Sequence, residues 1–219
     1  MPTVLITGAG RGIGKGFAGH YAAEGWRVIA TARNPEGLPE EAMPLDVTSD
    51  GSVQALVDSL TGEPIDLLIN NAGITGPRGS GVSNLDYEAW AEVLEVDAIA
   101  PIRVAAALAD NVAKSDRKLM VFISSRMGSI GQTHSSDSIF YRSAKACLNQ
   151  AVNVMSHDLK SRGIACVLFH PGWVRTDMGG AGAAIDVKTS IRGMTSVIAR
   201  LGARDNGRFI NYDGFDIPW

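Results

Sequence analysis

The sequence predicts an α/β protein, a doubly wound Rossmann-like parallel sheet flanked by helices. Three observations predict it. Short apolar runs alternate with longer stretches of helical periodicity, the pattern left by successive strand–helix–strand units. The apolar runs do not alternate with polar residues, so both faces of each strand should be covered. A chain of 219 residues is long enough for one sizeable core and short for two, so residues 1–219 read as a single domain.

The elements follow in order. Strands are expected at "TVLIT" (3–7), "RVIAT" (27–31), "IDLLIN" (65–70), "KLMVFIS" (118–124), "IACVLFH" (164–170) and "RFINY" (208–212), with a weaker one near "AMPLD" (42–46). Helices are expected over Ile13–Glu24, Ser52–Leu60, Asp86–Val112, Ser138–Ser161 and Asp186–Leu201. In such sheets ligands bind beyond the carboxyl ends of the strands. Two glycine-rich stretches, "GITGPRGSGVS" (73–83) and "GGAGAA" (179–184), follow strand ends and are expected to be the most flexible. Only a short segment separates Met178 from the helix near Asp186, which predicts a small lid and an open pocket.

Composition narrows the function classes. A net charge of −3 with scattered basic residues gives no footprint for nucleic acid. No apolar run is long enough to span a membrane, and the N-terminus has no leader pattern. Cys147 and Cys166 imply neither a disulfide framework nor a metal site; both are expected to fill core space, and a reducing, cytoplasmic setting is the default. His20, His134, His157 and His170 have no metal-ligand spacing.

The first strand runs into "TGAGRGIG", Thr7 to Gly14. Gly8, Gly12 and Gly14 allow a tight turn and close backbone approach. The helix opening near Ile13 aims its N–H groups and positive dipole end at an anion, which suits a dinucleotide pyrophosphate. After the second strand, no acid occurs before Glu36, where an acidic ribose ligand would be expected. Arg33 stands there instead, and Arg11 lies in the glycine turn. Guanidinium groups match phosphate, so NADP(H) is favoured over NAD(H).

Tyr141 and Lys145 in "FYRSAKACLN" lie four apart and share a helical face. A phenol with a pKa near 10 is a poor catalyst at neutral pH, and a shift of about three units needs roughly 4 kcal/mol. A neighbouring ammonium supplies part of that. A serine from the strand end "FISS" can hold a substrate oxygen while tyrosine gives or takes its proton. Asp97 in "VDAIAP" falls on the buried stripe Val93, Asp97, Ala100, Val104 and Leu108, where an unpaired carboxylate is costly. Pro101 deprives the carbonyl of residue 97 of its helical partner.

"TGAGRGIG", "NNAG" (70–73), "SS" (124–125), "YRSAK" and "HPGWVRTDM" (170–178), in that order, resemble the short-chain dehydrogenase/reductase family over nearly the whole chain. "RMGSIG", "HPGWVRTDMGG" and "IPW" add a likeness to its short members, the sniffer-type carbonyl reductases and C-factor-like proteins. The resemblance implies an oxidoreductase that moves a hydride between nicotinamide and a small carbonyl or alcohol substrate. It makes Tyr141 the general acid or base and, with Lys145, a cofactor contact, and Lys145 the residue that lowers its pKa and holds the nicotinamide ribose. Ser125 becomes the ligand of the substrate oxygen, with Ser124 the competing choice. The sixteen residues from Ser125 to Tyr141 exceed the family's usual gap of about thirteen. Asp46 and Val47 are implied at adenine, and Asn71, Ala72 and Gly73 near the adenine-side ribose and the central sheet. Pro171, Gly172, Val174 and Thr176 are implied around the nicotinamide.

The family usually has asparagine where this chain has Asp97. The expectation is that the main-chain carbonyl still serves a proton relay while the carboxylate meets Lys145 or another donor; a simpler reading has it brace a kink. Two alternative functions stand beside the reductase: a dinucleotide-binding regulatory protein with little turnover, and an NAD-linked alcohol dehydrogenase. Arg126 and Arg142 are read as ordinary surface pairs rather than ligands of an acidic substrate. Trp173 fits a pocket wall and loop packing equally. Trp90 and Trp219 read as packing or interface residues, and helices 86–112 and 138–161 are candidate surfaces for a homo-oligomer.

Overall fold

The computed structural model describes residues 1–38, 41–77 and 82–219; residues 78–81 of the expected flexible stretch lie outside them. Seven strands, β1 (Thr3–Ile6), β2 (Arg27–Ala32), β3 (Met43–Pro44), β4 (Leu67–Asn70), β5 (Leu119–Ile123), β6 (Ala165–His170) and β7 (Phe209–Asn211), form one sheet in the order β3-β2-β1-β4-β5-β6-β7. Every pairing is parallel. All residues of β1, β4 and β5 are buried, as the unbroken apolar runs require. The chain winds outward from β1 to β3, then returns to build β4 to β7 on the other side. The crevice where that direction reverses lies between the carboxyl ends of β1 and β4.

Alternate strand residues feed two cores. Leu5, Leu68, Met120, Phe122 and Leu168 face one way, against α2 (Asp50–Ser59), α4 (Ala100–Ala107) and α6 (Ile139–Leu159). Ile6, Ile69, Val121 and Phe169 face the other, against α1 (Gly12–Ala23) and α7 (Val187–Ile198). This period-two division is what a pleated strand covered on both sides imposes.

Three departures from the sequence expectations have physical causes. The helix expected over 86–112 is broken into α3 (Tyr87–Leu94), a π turn at Glu95–Ile99, α4, and α5 (Ala109–Ala113). Pro101 cannot donate a backbone hydrogen bond, so the helix widens by one residue just before it. The Ala100 N–H accordingly reaches back five residues to Glu95 O. The apolar stripe survives the break: Val93, Asp97, Ala100, Val104 and Leu108 are all fully buried. The weak strand shrinks to Met43–Pro44 at the sheet edge, the place where a residue without a donor is tolerated. Finally, Cys166 is buried but Cys147 is exposed, because position 147 falls on the outer face of α6, opposite Leu148 and Val152 of the core.

Candidate active site

The glycine turn after β1 is packed too tightly for any side chain at its centre. A Cβ on Gly14 would lie 2.3 Å from Gly8 O and 2.6 Å from Asn71 Nδ2. Gly8 and Gly12 both take positive φ, +67° and +54°, a region L-residues avoid. Asn71 closes the turn from the side, donating from Nδ2 to Thr7 O (2.9 Å) and Gly8 O (3.1 Å). The Thr7 hydroxyl accepts from the N–H groups of Asn71 and Ala72. Helices α2, α3 and α7 each begin under a side-chain oxygen, from Ser49, Asp86 and Asp186. Helix α1 begins at Arg11 with no such cap. Its first N–H groups, beside Ile13, therefore keep their capacity for an anion, and the cradle fits a pyrophosphate.

The neighbours of this cradle match a dinucleotide. Arg33 is exposed past the end of β2, and its charge reaches Asp46. The Asp46 carboxyl is held below its ordinary range, first by the Thr48 hydroxyl and N–H, then by Arg33. Val47 is half-buried beside it, its carbonyl taken by Arg103. Arg11 makes an exposed ion pair with Asp177 at 3.0 Å, worth little in water and easily exchanged for phosphate. Pro171, Gly172, Val174 and Thr176 follow β6 on the loop facing the turn; Thr176 lies 3.4 Å from where a Gly12 Cβ would stand. The Thr176 hydroxyl accepts from Gly179 N (3.1 Å), and Pro171 O accepts from the Ser190 hydroxyl (2.5 Å). These bonds tie the loop to itself and to α7.

Ser125, Tyr141 and Lys145 come together at the end of β5 and the first turns of α6. The Ser125 side chain acts on the phenol of Tyr141, favouring its ionised form, and its oxygen accepts from Met127 N at 3.1 Å. Ser124 points elsewhere: its hydroxyl donates to Asn149 Oδ1 at 2.5 Å, and Asn149 Nδ2 donates to Gly128 O. The strand alternates, so only one of the two serines faces the tyrosine. The Lys145 ammonium sits 5.6 Å from the centre of the Tyr141 ring. It donates to Ile123 O at 3.1 Å and lies 3.1 Å from Asp97 Oδ2.

Asp97 is fully buried (0% exposed). Its other oxygen accepts the Ile74 N–H at 2.7 Å, so the carboxylate braces the chain leaving β4 as well as the lysine. Gly73 passes directly over it. Burial pushes the Asp97 carboxyl up, against the pull of Lys145 and Ile74. Burial works against the charge of Lys145, yet the Asp97 carboxylate and Tyr141 hold it above the ordinary lysine range. The Tyr141 phenol is pushed up by burial, with Asp97 adding; the Lys145 ammonium and the Ser125 hydroxyl pull it back. The tyrosine is thus a protonated acid at neutral pH, with a charged lysine behind it.

Pattern reasoning missed Asn149 and the Ile123 carbonyl and Ile74 N–H. Asn149 had a signal, being four residues beyond Lys145 on the same face; backbone groups leave none. His170 ends β6 beside Asn211 of β7. Burial, then the Arg126 charge, depress its pKa to about 4, with Asp213 opposing. A depressed folded pKa means the unfolded chain binds more protons between that value and the unperturbed one near 6.5. Stability from this group is complete above about pH 6.5 and is lost as pH falls toward 4. Denaturant titrations at pH 7 and 4.5 should show His170→Gln losing less stability than the parent, by on the order of 2 kcal/mol; parallel losses in both would rule the histidine out.

A Rossmann-type sheet with an uncapped glycine cradle and a serine–tyrosine–lysine cluster at its carboxyl edge defines an oxidoreductase. The profile of the short chain dehydrogenase family matches residues 2–186, and the chain belongs to that family. The C-signal protein of Myxococcus xanthus is 38% identical over 167 residues, which span 76% of this chain and 100% of that protein. Among solved structures, the carbonyl reductase Sniffer of D. melanogaster superposes with a TM-score of 0.92 at 31% identity, over 100% of both chains. The NADPH-bound carbonyl reductase from chicken fatty liver gives 0.91 at 33% identity, over 100% of this chain and 99% of that one. Among the described residues no helix is long and apolar enough to cross a membrane.

Proposed function

We propose that the protein reduces a small carbonyl compound with NADPH, Tyr141 giving the proton. The observation that carries this reading is the Tyr141 phenol, held protonated, with Ser125 acting on it and the Lys145 ammonium 5.6 Å from its ring. The cofactor supplies the hydride when bound. The cradle from Gly8 to Gly14 and the N–H groups of α1 hold the pyrophosphate. Arg33 and Arg11 take the 2′-phosphate, Asp46 and Val47 meet adenine, and Asn71, Ala72 and Gly73 border the adenine-side ribose. Pro171, Gly172, Val174 and Thr176 line the nicotinamide. Lys145 has three donors; two face Ile123 O and Asp97, leaving one for the nicotinamide ribose. Ser125 orients the substrate oxygen, which takes the Tyr141 proton as charge develops on it.

NADPH is preferred over NADH because Arg33 is free to meet a 2′-phosphate and no acid stands in its place. The NADPH-bound chicken reductase supports that choice. Replacing Arg33 with alanine should weaken NADPH binding roughly tenfold, the value of one charge-assisted contact, and leave NADH binding unchanged. Fluorescence titration with both cofactors decides it; equal losses, or tighter NADH binding by the parent, reject the assignment.

A second reading has two observations in its favour. Asp97 takes up part of the Lys145 charge, which weakens the pull on Tyr141, and one relative is named C-signal. A dinucleotide-binding regulator with little turnover fits that. A panel of aldehydes, ketones and quinones separates the two: NADPH binding without consumption favours the regulator.

A further inference from the structure

Arginines around the candidate site are mostly engaged. Arg142 is paired with Asp137 at 3.0 Å, Arg11 with Asp177, and Arg175 donates to Ala183 O at 3.1 Å. Arg126 differs. It directly follows Ser125, so its Cα is about 3.8 Å from that of the proposed substrate-oxygen ligand. Its side chain is exposed and makes no ion pair among the described residues. The group its charge reaches is His170, which cannot neutralise it while uncharged. Asp213, a carboxylate that also acts on His170, accepts from Asn211 Nδ2 at 2.6 Å and Phe215 N at 3.4 Å.

Large apolar side chains are exposed at the same carboxyl edge of the sheet, beyond the two strands that follow β5 in it. Trp173, Met178 and Phe215 are exposed on the loops that leave the carboxyl ends of β6 and β7. The Trp173 indole donates to Gly179 O at 2.9 Å, which fixes it against the short loop before α7. Exposed large side chains at the edge of the sheet where ligands bind mark a contact surface. A guanidinium recognises a carboxylate in a planar, two-point geometry.

We propose that Arg126 is the anion-binding residue of the substrate pocket, and that the substrate is an apolar carbonyl compound bearing a carboxylate. The inference rests on the reading of Ser125 and Tyr141 as the pair that holds the reacting oxygen. The carboxylate reaches Arg126 while the apolar body lies along Trp173 and Phe215. Arg126 acts on substrate binding and not on the proton: the charges acting on the Tyr141 phenol are those of Lys145 and Asp97.

The test compares 4-carboxybenzaldehyde with its methyl ester, on NADPH-loaded protein, by NADPH consumption and by quenching of tryptophan fluorescence. Each ratio of acid to ester is taken in the parent and in Arg126→Gln, so that the different reactivity of the two aldehydes cancels. The ratio should fall roughly tenfold in the variant, further in Arg126→Glu, and recover partly in Arg126→Lys. A parent that binds the acid no better than the variant does, relative to the ester, overturns the anion site. Selective binding of the acid without NADPH consumption keeps the anion site and rejects the reductase reading instead.

Discussion

Tyr141→Phe should lose turnover by two to four orders of magnitude, the usual contribution of a positioned proton donor, with NADPH affinity unchanged. The phenol oxygen is the only atom removed. The ring stays in place over the Lys145 ammonium, and the Ser125 oxygen keeps its bond from Met127 N, so the local fold has no reason to shift. On the proposed reading cofactor affinity rests mainly on the glycine turn, Arg33 and Lys145, none of which this change removes. The measurement is kcat under saturating NADPH alongside a fluorescence titration of the same preparation. Turnover within a few-fold of the parent means that the proton comes from elsewhere, with Lys145 the next donor along the face. A loss of binding as large as the loss of turnover means a structural role.

Much of this arrangement was legible in the residues, for physical reasons that also mark where legibility ends. The strands were plain because both faces of a covered parallel sheet must be apolar, which leaves unbroken runs such as "LLIN" and "LMVFI". The cradle was plain because only glycine fits at position 14. Tyr141 and Lys145 were tied together by helical spacing alone. The choice between Ser124 and Ser125 was not, since it depends on which strand residue meets α6, and Asn149 takes Ser124 across a separation of 25 residues. The π turn was half legible: Pro101 signalled a free carbonyl, but the widening that carries Asp97 beside Lys145 is a tertiary outcome. Cys147 was misjudged because a cysteine on a long helix tells nothing of which side it faces. Arg126 and Arg142 look alike in sequence; only the structure gives one a carboxylate and leaves the other exposed.

The Asp97–Lys145 pair sets the second large effect. Two donors converge on one carboxylate, the Ile74 N–H on Oδ1 and the Lys145 ammonium on Oδ2. An asparagine amide has a single acceptor oxygen, so Asp97→Asn can satisfy one donor and must turn its NH2 toward the other. Asp97→Leu satisfies neither and leaves a buried ammonium without a counter-charge, which should cost about 3–5 kcal/mol in chemical denaturation. The asparagine variant reports on chemistry rather than on folding. Asp97 raises the Tyr141 pKa, so removing its charge while Lys145 stays protonated lowers that pKa. In reduction the phenol must be protonated, and the rate falls as pH rises through its pKa; that decline should start about one pH unit lower in the variant. Oxidation needs the phenolate, so its rising limb should move the same way, and the oxidation rate at neutral pH should increase. A structural brace would leave both limbs in place and change only stability. Superimposable pH–rate profiles for the parent and Asp97→Asn, in both directions, would therefore remove Asp97 from the proton chemistry and leave it holding Ile74 alone.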